Sequence, residues 1–367
     1  MNWYKRYERH FSSIFLVSGF VFDAITLKRV DLFWENLWVG AHLLFAAVGI
    51  IFLNLYENRK ERFSEKTKSL LHFWLIAVVQ FSFGGLLSTF LVFYFRSAAL
   101  AVSWPFMLFL AAAFVCNEVL KHHYTRLVFQ VLLLLLSIYS FAIYIVPVAM
   151  HQIGDWVFIL SGLVTFFILV IFLLCLRIIS RERFVKSRKP LIFSIISVFV
   201  IVNLLYFTNL IPPIPLSLKD AGVYHSLTRV TDSTGSQGVS NYYVQGEQKS
   251  WWDYFKLIET VHQVAGQPFY LYTSIFSPTN LNTTIIHQWQ YYDDVKRRWI
   301  NEGSIRLPIL GGREGGYRTY SERDNLAPGS WRVNVDTLSG QVIGRISFDV
   351  VNVSGADSLP ALVEEKL

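Results

Sequence analysis

The sequence is poor in cysteine and in charge. Of its 367 residues, two are cysteines and 16% are Asp, Glu, Lys or Arg. Cys116 and Cys175 both lie within apolar runs, so residues 213–367 have neither a disulfide framework nor a cysteine-based zinc site. A hydrophobic content of 53%, together with so little charge and a positive mean hydropathy, is more than a soluble protein of this length easily keeps in solution. The composition therefore indicates a membrane protein.

The usual motifs of catalysis and cofactor binding are absent from residues 213–367. This segment has no nucleophile elbow, no HExxH, no CxxC and no GKS/T phosphate loop. We therefore predict no catalytic residue, no metal site and no cofactor, and we favour a non-enzymatic role.

The net charge of +7 is concentrated in the first part of the chain. Residues 1–212 contain 19 Lys and Arg against 10 Asp and Glu, whereas residues 213–367 contain 14 against 16. The positive excess lies between apolar runs, where it sets membrane topology rather than forming a phosphate-binding surface. We expect a lipid bilayer as a partner and no nucleic acid.

Long apolar runs occupy residues 1–211. A spanning helix needs ~20 mostly apolar residues, and six stretches meet this requirement: 37–56, 70–95, 98–119, 127–149, 156–177 and 190–211. A seventh, 11–27, is shorter and contains Asp23, so it either crosses the membrane or lies re-entrant or at the interface. With seven spans, 15 Lys and Arg fall on one side and three on the other, as the positive-inside rule requires. We predict a seven-helix transmembrane domain, 1–211, with a cytoplasmic N-terminus.

Prolines mark the exit from this region. Residues 212–250, which begin with two prolines, are predicted to form a linker with one short strand at 223–230 and a mobile Gly/Ser/Gln-rich loop at 231–246. A Ser-x-x-Asp start and apolar residues at helical spacing then predict an amphipathic helix at 251–266. This helix either packs on the C-terminal domain or lies on the outer membrane surface.

The hydrophobic period changes to two from residue 268 onward. Alternating apolar residues, separated by turn-rich segments, predict six strands: 269–276, 283–292, 303–309, 317–321, 330–336 and 341–351. Short, mostly antiparallel strands at this density predict an immunoglobulin-like β-sandwich domain at 267–352, outside the cytoplasm. The tail at 353–367 is predicted to be disordered.

Several segments of the second half resemble a known family. They are IHQW (286–289), GYRTYS (316–321), GSWRVNV (329–335), GQVIGR (340–345) and FDV (348–350). Together they resemble the C-terminal signature of a bacterial family filed as domain of unknown function 2914. The membrane half, including GFVFDAITLKR (19–29), is similar to the helical region of some members. The resemblance implies a bacterial envelope protein, in the inner membrane with a periplasmic C-terminal domain, and implies no reaction.

Two arginines of one predicted hairpin are candidates for ligand binding. Arg332 and Arg345 alternate with apolar residues and so point to the wet face of the sheet. A two-residue loop would place them opposite each other, and a longer loop would stagger them. They are either neutralised by Asp336 or Asp349, or they hold an anionic group such as a carboxylate or phosphate.

Four further residues of this domain are candidates. Arg318 and Tyr320 supply another cation and an aromatic ring for stacking on a ligand. His287 and Trp289 share one strand face, where a histidine is either a core residue or a ligand-binding one.

Ionisable residues in the apolar half are costly and point to function by default. Asp23 lies near the outer end of the first span. Glu118 and His122 are four residues apart and share a helix face, so they are either a proton or metal site or are solvated at the interface.

The favoured function is binding. The exported sandwich would bind an envelope polymer, lipid or partner protein, and the helices would anchor it or relay its state. The alternative is a membrane-embedded enzyme or transporter that acts on a lipid-linked or hydrophobic substrate through Asp23 or Glu118.

Overall fold

The computed structural model describes residues 17–59, 61, 64–120, 123–231, 240–251, 256, 258–264, 266–278, 281–313, 315–355 and 358–367. The chain divides into two compact units, Met1–Pro215 and Leu216–Leu367. We call them the helical unit and the β unit. The division lies in the proline-rich segment that the sequence marks as the end of the apolar half.

Seven helices make up the described part of the helical unit: α1 (Val17–Thr26), α2 (Phe33–Arg59), α3 (Glu65–Ser97), α4 (Leu100–Val119), α5 (Leu127–Met150), α6 (Asp155–Ile179) and α7 (Arg181–Phe207). Six of them, α2 to α7, are long and apolar enough to cross a membrane. Each of the six long predicted spans corresponds to one of these helices. The seventh, 11–27, is described only from Val17, and its crossing stays a prediction.

Helix α5 is the central helix of this unit. Most of its residues are buried, and it contacts α2, α3, α6 and α7. The other long helices expose many large apolar side chains, such as Phe81, Phe167, Phe193 and Leu204. A lipid environment suits both features. Apolar side chains can face lipid tails, and a helix satisfies its own backbone hydrogen bonds. This unit is consistent with a multi-pass membrane protein.

A polar corner positions α1. Both terminal nitrogens of Arg96, at the end of α3, donate hydrogen bonds of 2.8 Å to the carbonyl oxygens of Ala24 and Lys28. The carboxylate of Glu35 accepts hydrogen bonds from the backbone N–H groups of Lys28 and Arg29. A helix leaves its last backbone carbonyls without a hydrogen-bond donor. Arg96 supplies donors at the end of α1 and so holds that end against α3.

The β unit has eleven strands in its described part. They are β1 (Ser217–Tyr224), β2 (Ser226–Thr231), β3 (Ser240–Glu247), β4 (Glu259–Val264), β5 (Pro268–Phe276), β6 (Thr283–Asp293), β7 (Arg298–Ile309), β8 (Tyr317–Asp324), β9 (Gly329–Thr337), β10 (Val342–Val353) and β11 (Leu362–Lys366). They form three sheets, in the orders β1-β5-β8, β4-β10-β9-β6-β7 and β11-β3-β2. All pairs are antiparallel except β4 with β10, which is parallel.

The first two sheets share one core. Phe269 and Leu271 come from β5, and Trp289, Val333 and Phe348 come from the five-stranded sheet, each with at most 1% of its surface exposed. These residues alternate with polar neighbours along their strands, as the period of two predicts. The predicted mostly antiparallel β domain is therefore present, and each of the six predicted strands overlaps one observed strand.

The predicted amphipathic helix at 251–266 is wrong for residues 259–264, which form β4. Val261 is buried in the core and pairs with Val350 of β10, so the segment follows a period of two. The apolar spacing that suggested a helix was accidental, because pairing with β10, which is distant in the sequence, overrides local preference. Residues 252–255, 257 and 265 lie outside the described part of the chain.

Two other boundaries need correction. The predicted disordered tail contains β11, which pairs with β3, because a polar segment can complete a sheet through backbone hydrogen bonds alone. The predicted linker at 212–250 contains β1, β2 and β3, so the β unit begins well before residue 267. The single strand expected at 223–230 is divided at His225, and of the loop expected at 231–246, residues 232–239 lie outside the described range.

Candidate functional site

The β9–β10 hairpin staggers the two candidate arginines. Arg345 pairs with Asn334, whereas Arg332 pairs with Ser347, so the arginines are diagonal neighbours across the two strands. The longer-loop alternative is therefore correct. The turn runs from Thr337 to Gln341, with Gly340 at a φ of +84° that favours glycine. Diagonal placement avoids the direct opposition of two like charges.

Each guanidinium is held by one nitrogen. Arg332 Nε donates to Gln290 Oε1 at 2.6 Å, and Arg345 Nε donates to Asn334 Oδ1 at 2.7 Å. Within the described residues, neither arginine has a carboxylate within 4.0 Å, and the terminal nitrogens of both have no hydrogen-bond acceptor. Both side chains are half-buried, and their Nε hydrogen bonds orient the terminal nitrogens, which are unpaired among the described residues.

Asp336 lies on the same strand face as Arg332. It is only 9% exposed, and its Oδ1 has no hydrogen-bond partner among the described residues. Burial raises the pKa of Asp336 to about 7, although the nearby charges of Arg345 and Arg332 oppose this shift. Burial and the neighbouring Arg345 charge lower the pKa of Arg332 to about 10. The other predicted neutralising residue, Asp349, instead accepts a 2.6 Å hydrogen bond from Ser330.

An aromatic pair borders Arg332. The guanidinium carbon of Arg332 lies 4.3 Å from the ring centroid of Trp299, a cation–π distance. The Trp299 ring is also 5.2 Å from that of Tyr292 at an angle of 60°. Sequence reasoning missed Trp299 because it began this strand at residue 303 instead of Arg298. We call the group Arg332, Arg345, Asp336, Asn334, Gln290 and Trp299 the arginine site.

Arg318 and Tyr320 are not part of this site. Both lie on β8 of the three-stranded sheet, where they pair with Ser274 and Tyr272. The Tyr320 ring is 6.2 Å from that of Tyr270, within a tyrosine-rich face of that sheet. The structure therefore places Arg318 and Tyr320 on a different sheet from Arg332 and Arg345.

His287 and Trp289 lie inside the β unit and are fully buried. The His287 ring nitrogens lie 3.1 Å from Thr273 Oγ1 and 2.8 Å from Ser321 Oγ, and Trp289 Nε1 donates to the same Ser321 hydroxyl at 3.2 Å. Burial lowers the pKa of His287 to about 3, so its ring is neutral. These hydrogen bonds join the two core sheets, on the opposite side of the sheet from the arginine site.

The carboxylate of Glu247 lies between two histidines and joins β3, of the β11-β3-β2 sheet, to β4. Glu247 Oε1 lies 3.1 Å from His225 Nε2 and accepts a 2.6 Å hydrogen bond from the backbone N–H of His262. Glu247 Oε2 lies 2.9 Å from His262 Nδ1. Burial would raise the pKa of Glu247, but the hydrogen bonds from His225 and His262 outweigh it and lower the pKa. The sequence gave no signal for this cluster, because its members are far apart in the chain.

In the helical unit, Asp23 of α1 lies close to His42 of α2 and Ser88 of α3. Both neighbours are buried, and Gly85 makes room for the imidazole, since a Cβ at this position would be 2.9 Å from the His42 ring. His42 was not among the predicted residues, because Asp23 and Ser88 lie on other helices and no spacing in the sequence links the three. An acid, an imidazole and a hydroxyl from three helices thus lie near one another, with the imidazole and the hydroxyl buried and Asp23 partly exposed.

The second intramembrane candidate is held by an amide. Glu118 Oε2 accepts a 2.9 Å hydrogen bond from Gln80 Nε2. His122, its predicted partner, lies outside the described residues. No group of three or more His, Cys, Asp or Glu side chains suited to a metal ion occurs in the part of the chain that the structure describes.

A buried polar network joins four helices near Glu118. Tyr124 donates to Asn117, Gln130 donates to the Tyr124 carbonyl, and Asn54 donates to Gln130 at 2.7 Å. Asn54 in turn accepts a 2.9 Å hydrogen bond from Arg183 of α7. Side-chain hydrogen bonds of this kind hold membrane helices together.

Together, the units define a class of protein: a bundle of long apolar helices followed by a mostly antiparallel β unit. Residues 282–350 match the family described as "Protein of unknown function (DUF2914)", which confirms the resemblance for the C-terminal region. No curated protein matches the chain.

Solved structures give weak matches. An immunoglobulin-like protein from Pseudomonas aeruginosa has 12% identity and a TM-score of 0.21, and the match covers 37% of this chain and 96% of that one. A β-glucosidase from Listeria innocua has 13% identity and a TM-score of 0.20, over 32% and 17% of the two chains. The Pseudomonas fluorescens alkylpurine DNA glycosylase AlkC has 8% identity and a TM-score of 0.19, over 86% and 98%. All three scores are too low to carry an argument.

Proposed function

We propose that this is a multi-pass inner-membrane protein whose β unit faces the periplasm and binds the carboxylate or phosphate of an envelope component at the arginine site. The observation that carries the proposal is the state of the two guanidiniums. Each is fixed by its Nε, while its terminal nitrogens have no acceptor among the described residues. Such nitrogens match the oxygens of a carboxylate or phosphate in a two-point contact.

Pre-orientation supports binding rather than simple surface solvation. A free arginine loses rotamer freedom when it grips a ligand, and this loss opposes binding. Here Gln290, Asn334 and the Trp299 ring already restrict the two side chains. The Gln290 amide is itself held, because its Nε2 donates a 2.9 Å hydrogen bond to Gln288 Oε1, so the support extends along β6.

The residues around Arg332 favour a ligand that has, besides its negative charge, a group able to stack on aromatic rings. Trp299 and Tyr292 are half-buried beside Arg332 and offer ring faces for stacking. The positive-inside distribution of Lys and Arg supports export of the β unit, and the long apolar helices of the first unit support a bilayer anchor. An envelope polymer, an anionic lipid headgroup or an acidic segment of a partner protein would each supply such a group.

The test is photo-crosslinking in living cells. A photoreactive amino acid at Ser347, which lies opposite Arg332 and is half-exposed, leaves both arginines intact. We expect a discrete adduct with a molecule that bears carboxylate or phosphate, lost when Arg332→Gln and Arg345→Gln are combined. Arg306→Gln is the matched control, because Arg306 is an exposed arginine on β7 of the same sheet. An equal yield from the double variant, or no adduct from folded, exported protein, would refute the proposal.

The second candidate is an intramembrane enzyme or transporter, which the proximity of Asp23 to His42 and Ser88 favours. Under this alternative, Asp23→Asn abolishes function in a complemented deletion strain while protein abundance is unchanged. The binding proposal predicts the reverse: loss with Arg332→Gln and retention with Asp23→Asn.

A further inference from the structure

We infer that Asp336 controls anion affinity at the arginine site, and that the site holds its anion only while the Asp336 carboxyl carries a proton. This inference rests on the proposed function. It adds a condition to it: the site takes up a proton with the anion when the surrounding solution is alkaline.

The surroundings of Asp336 disfavour a charged carboxylate. Its cross-strand partners are Val342 on β10 and Ile286 on β6, both apolar. The side chain is nine-tenths buried, and its Oδ1 has no hydrogen-bond partner among the described residues. An ionised carboxylate whose Oδ1 is buried without a hydrogen bond loses hydration there without replacement, so the neutral acid is preferred.

Two cations oppose this preference without cancelling it. The charged groups that act on Asp336 are Arg345 on β10 and Arg332 on its own strand. On β6 the facing residue is the uncharged Ile286, and the next charge in that direction is the exposed Arg306 of β7. No ion pair within 4.0 Å joins Asp336 to an arginine in the described part of the chain. The pKa of about 7 reflects this balance.

The protonation state of Asp336 sets the net charge of the arginine site. With the acid neutral, Arg332 and Arg345 have no counter-charge within 4.0 Å among the described residues, and a bound anion supplies one. With the acid ionised, Asp336 attracts the same guanidiniums and repels the anion. Above the pKa of the free protein, binding therefore transfers one proton from solvent to a carboxylate oxygen of Asp336.

The test is a binding titration of the full-length protein in detergent with sulfate and with glucuronate. Both probes keep a constant charge between about pH 5.5 and pH 8.5, so a change in affinity belongs to the protein. We expect both affinities to fall about tenfold per pH unit above the Asp336 pKa. Asp336→Asn should bind with little pH dependence. Asp294→Asn, a change at an exposed aspartate of the β6–β7 turn, should keep the wild-type slope.

A second measurement needs no variant. Calorimetry of the wild-type protein, in buffers with different ionisation enthalpies, should show uptake of nearly one proton per anion at alkaline pH. Binding without proton uptake, or a slope that persists in Asp336→Asn, would overturn the inference and leave the proposed function standing. Failure of the wild-type protein to bind either probe at any pH would overturn both.

Discussion

The guanidinium of Arg332 lies over the Trp299 ring at 4.3 Å, while its Nε donates to Gln290. Two elements therefore fix one side chain: the β7 strand through the ring and the β6 strand through the amide. Neither contact uses the terminal nitrogens of Arg332. The terminal nitrogens of Arg332 are thus oriented before a ligand binds.

Trp299→Leu should weaken anion binding at the arginine site about two- to fivefold, because a cation–π contact at a partly exposed site contributes about 0.5–1 kcal/mol. The fall should appear in sulfate affinity measured at a fixed pH near 6. Trp251→Leu, at a tryptophan that is 61% exposed, should leave the affinity unchanged. Equal affinities of the wild type and the Trp299 variant would show that the ring does not position the guanidinium.

His287→Ala should destabilise the β unit by about 2–4 kcal/mol, because it removes a buried ring and leaves the Thr273 and Ser321 hydroxyls without it. The pH effect has a definite sign. The folded protein keeps His287 neutral down to a pKa of about 3, whereas the unfolded chain binds a proton near pH 6.5. Its contribution is therefore present above about pH 6.5 and lost as the pH falls toward 3. Hydrogen exchange of β5, β6 and β8 amides would measure both effects.

Glu247→Gln should weaken the contact between β3, of the β11-β3-β2 sheet, and β4. The lowered pKa of Glu247 means that its charged form is stabilised in the folded state, so this stability is present above about pH 4.5 and is lost as the pH falls through the folded pKa. We expect a cost of about 1–3 kcal/mol at neutral pH, seen as faster hydrogen exchange in β3 and β4. Glu364→Gln, at an exposed position of β11, is the matched control. Unchanged exchange in both variants would contradict a joining role.

Topology can be tested by cysteine labelling in a variant with Cys116 and Cys175 replaced by serine. Val295→Cys, at a residue that is 94% exposed between β6 and β7, should react with a membrane-impermeant maleimide in spheroplasts. Glu61→Cys, exposed between α2 and α3, should react only after the membrane is opened. The opposite pattern would reverse the predicted orientation.

Local patterns predicted much of this structure. Alternation placed Arg332 between the buried Trp331 and Val333, and so on the other sheet face, in agreement with the structure. The stagger relative to Arg345 could not be predicted, because it depends on the turn after Thr337 and on an irregularity between Val342 and Gly344.

Contacts between distant segments escaped prediction. β4 was taken for a helix because its apolar residues fit a period near 3.6, and only its pairing with β10 makes it a strand. Glu247 and His262 lie on separate strands, His225 lies between β1 and β2, and no spacing in the sequence links the three. The proximity of Asp23 to His42 likewise depends on how α1 packs against α3, where Arg96 donates hydrogen bonds to the carbonyls at the end of α1.

The parallel pairing of β4 with β10 has a consequence for the order of folding. β6 with β7 and β9 with β10 are joined by short turns, so they can form while the chain is still emerging. β4 must wait for a partner that is made about 90 residues later, because Glu259 pairs with Phe348. The two hairpins lie within the region that matches the DUF2914 family, except for the last residues of β10. We therefore expect this region to fold first and to serve as the template on which the earlier strands assemble.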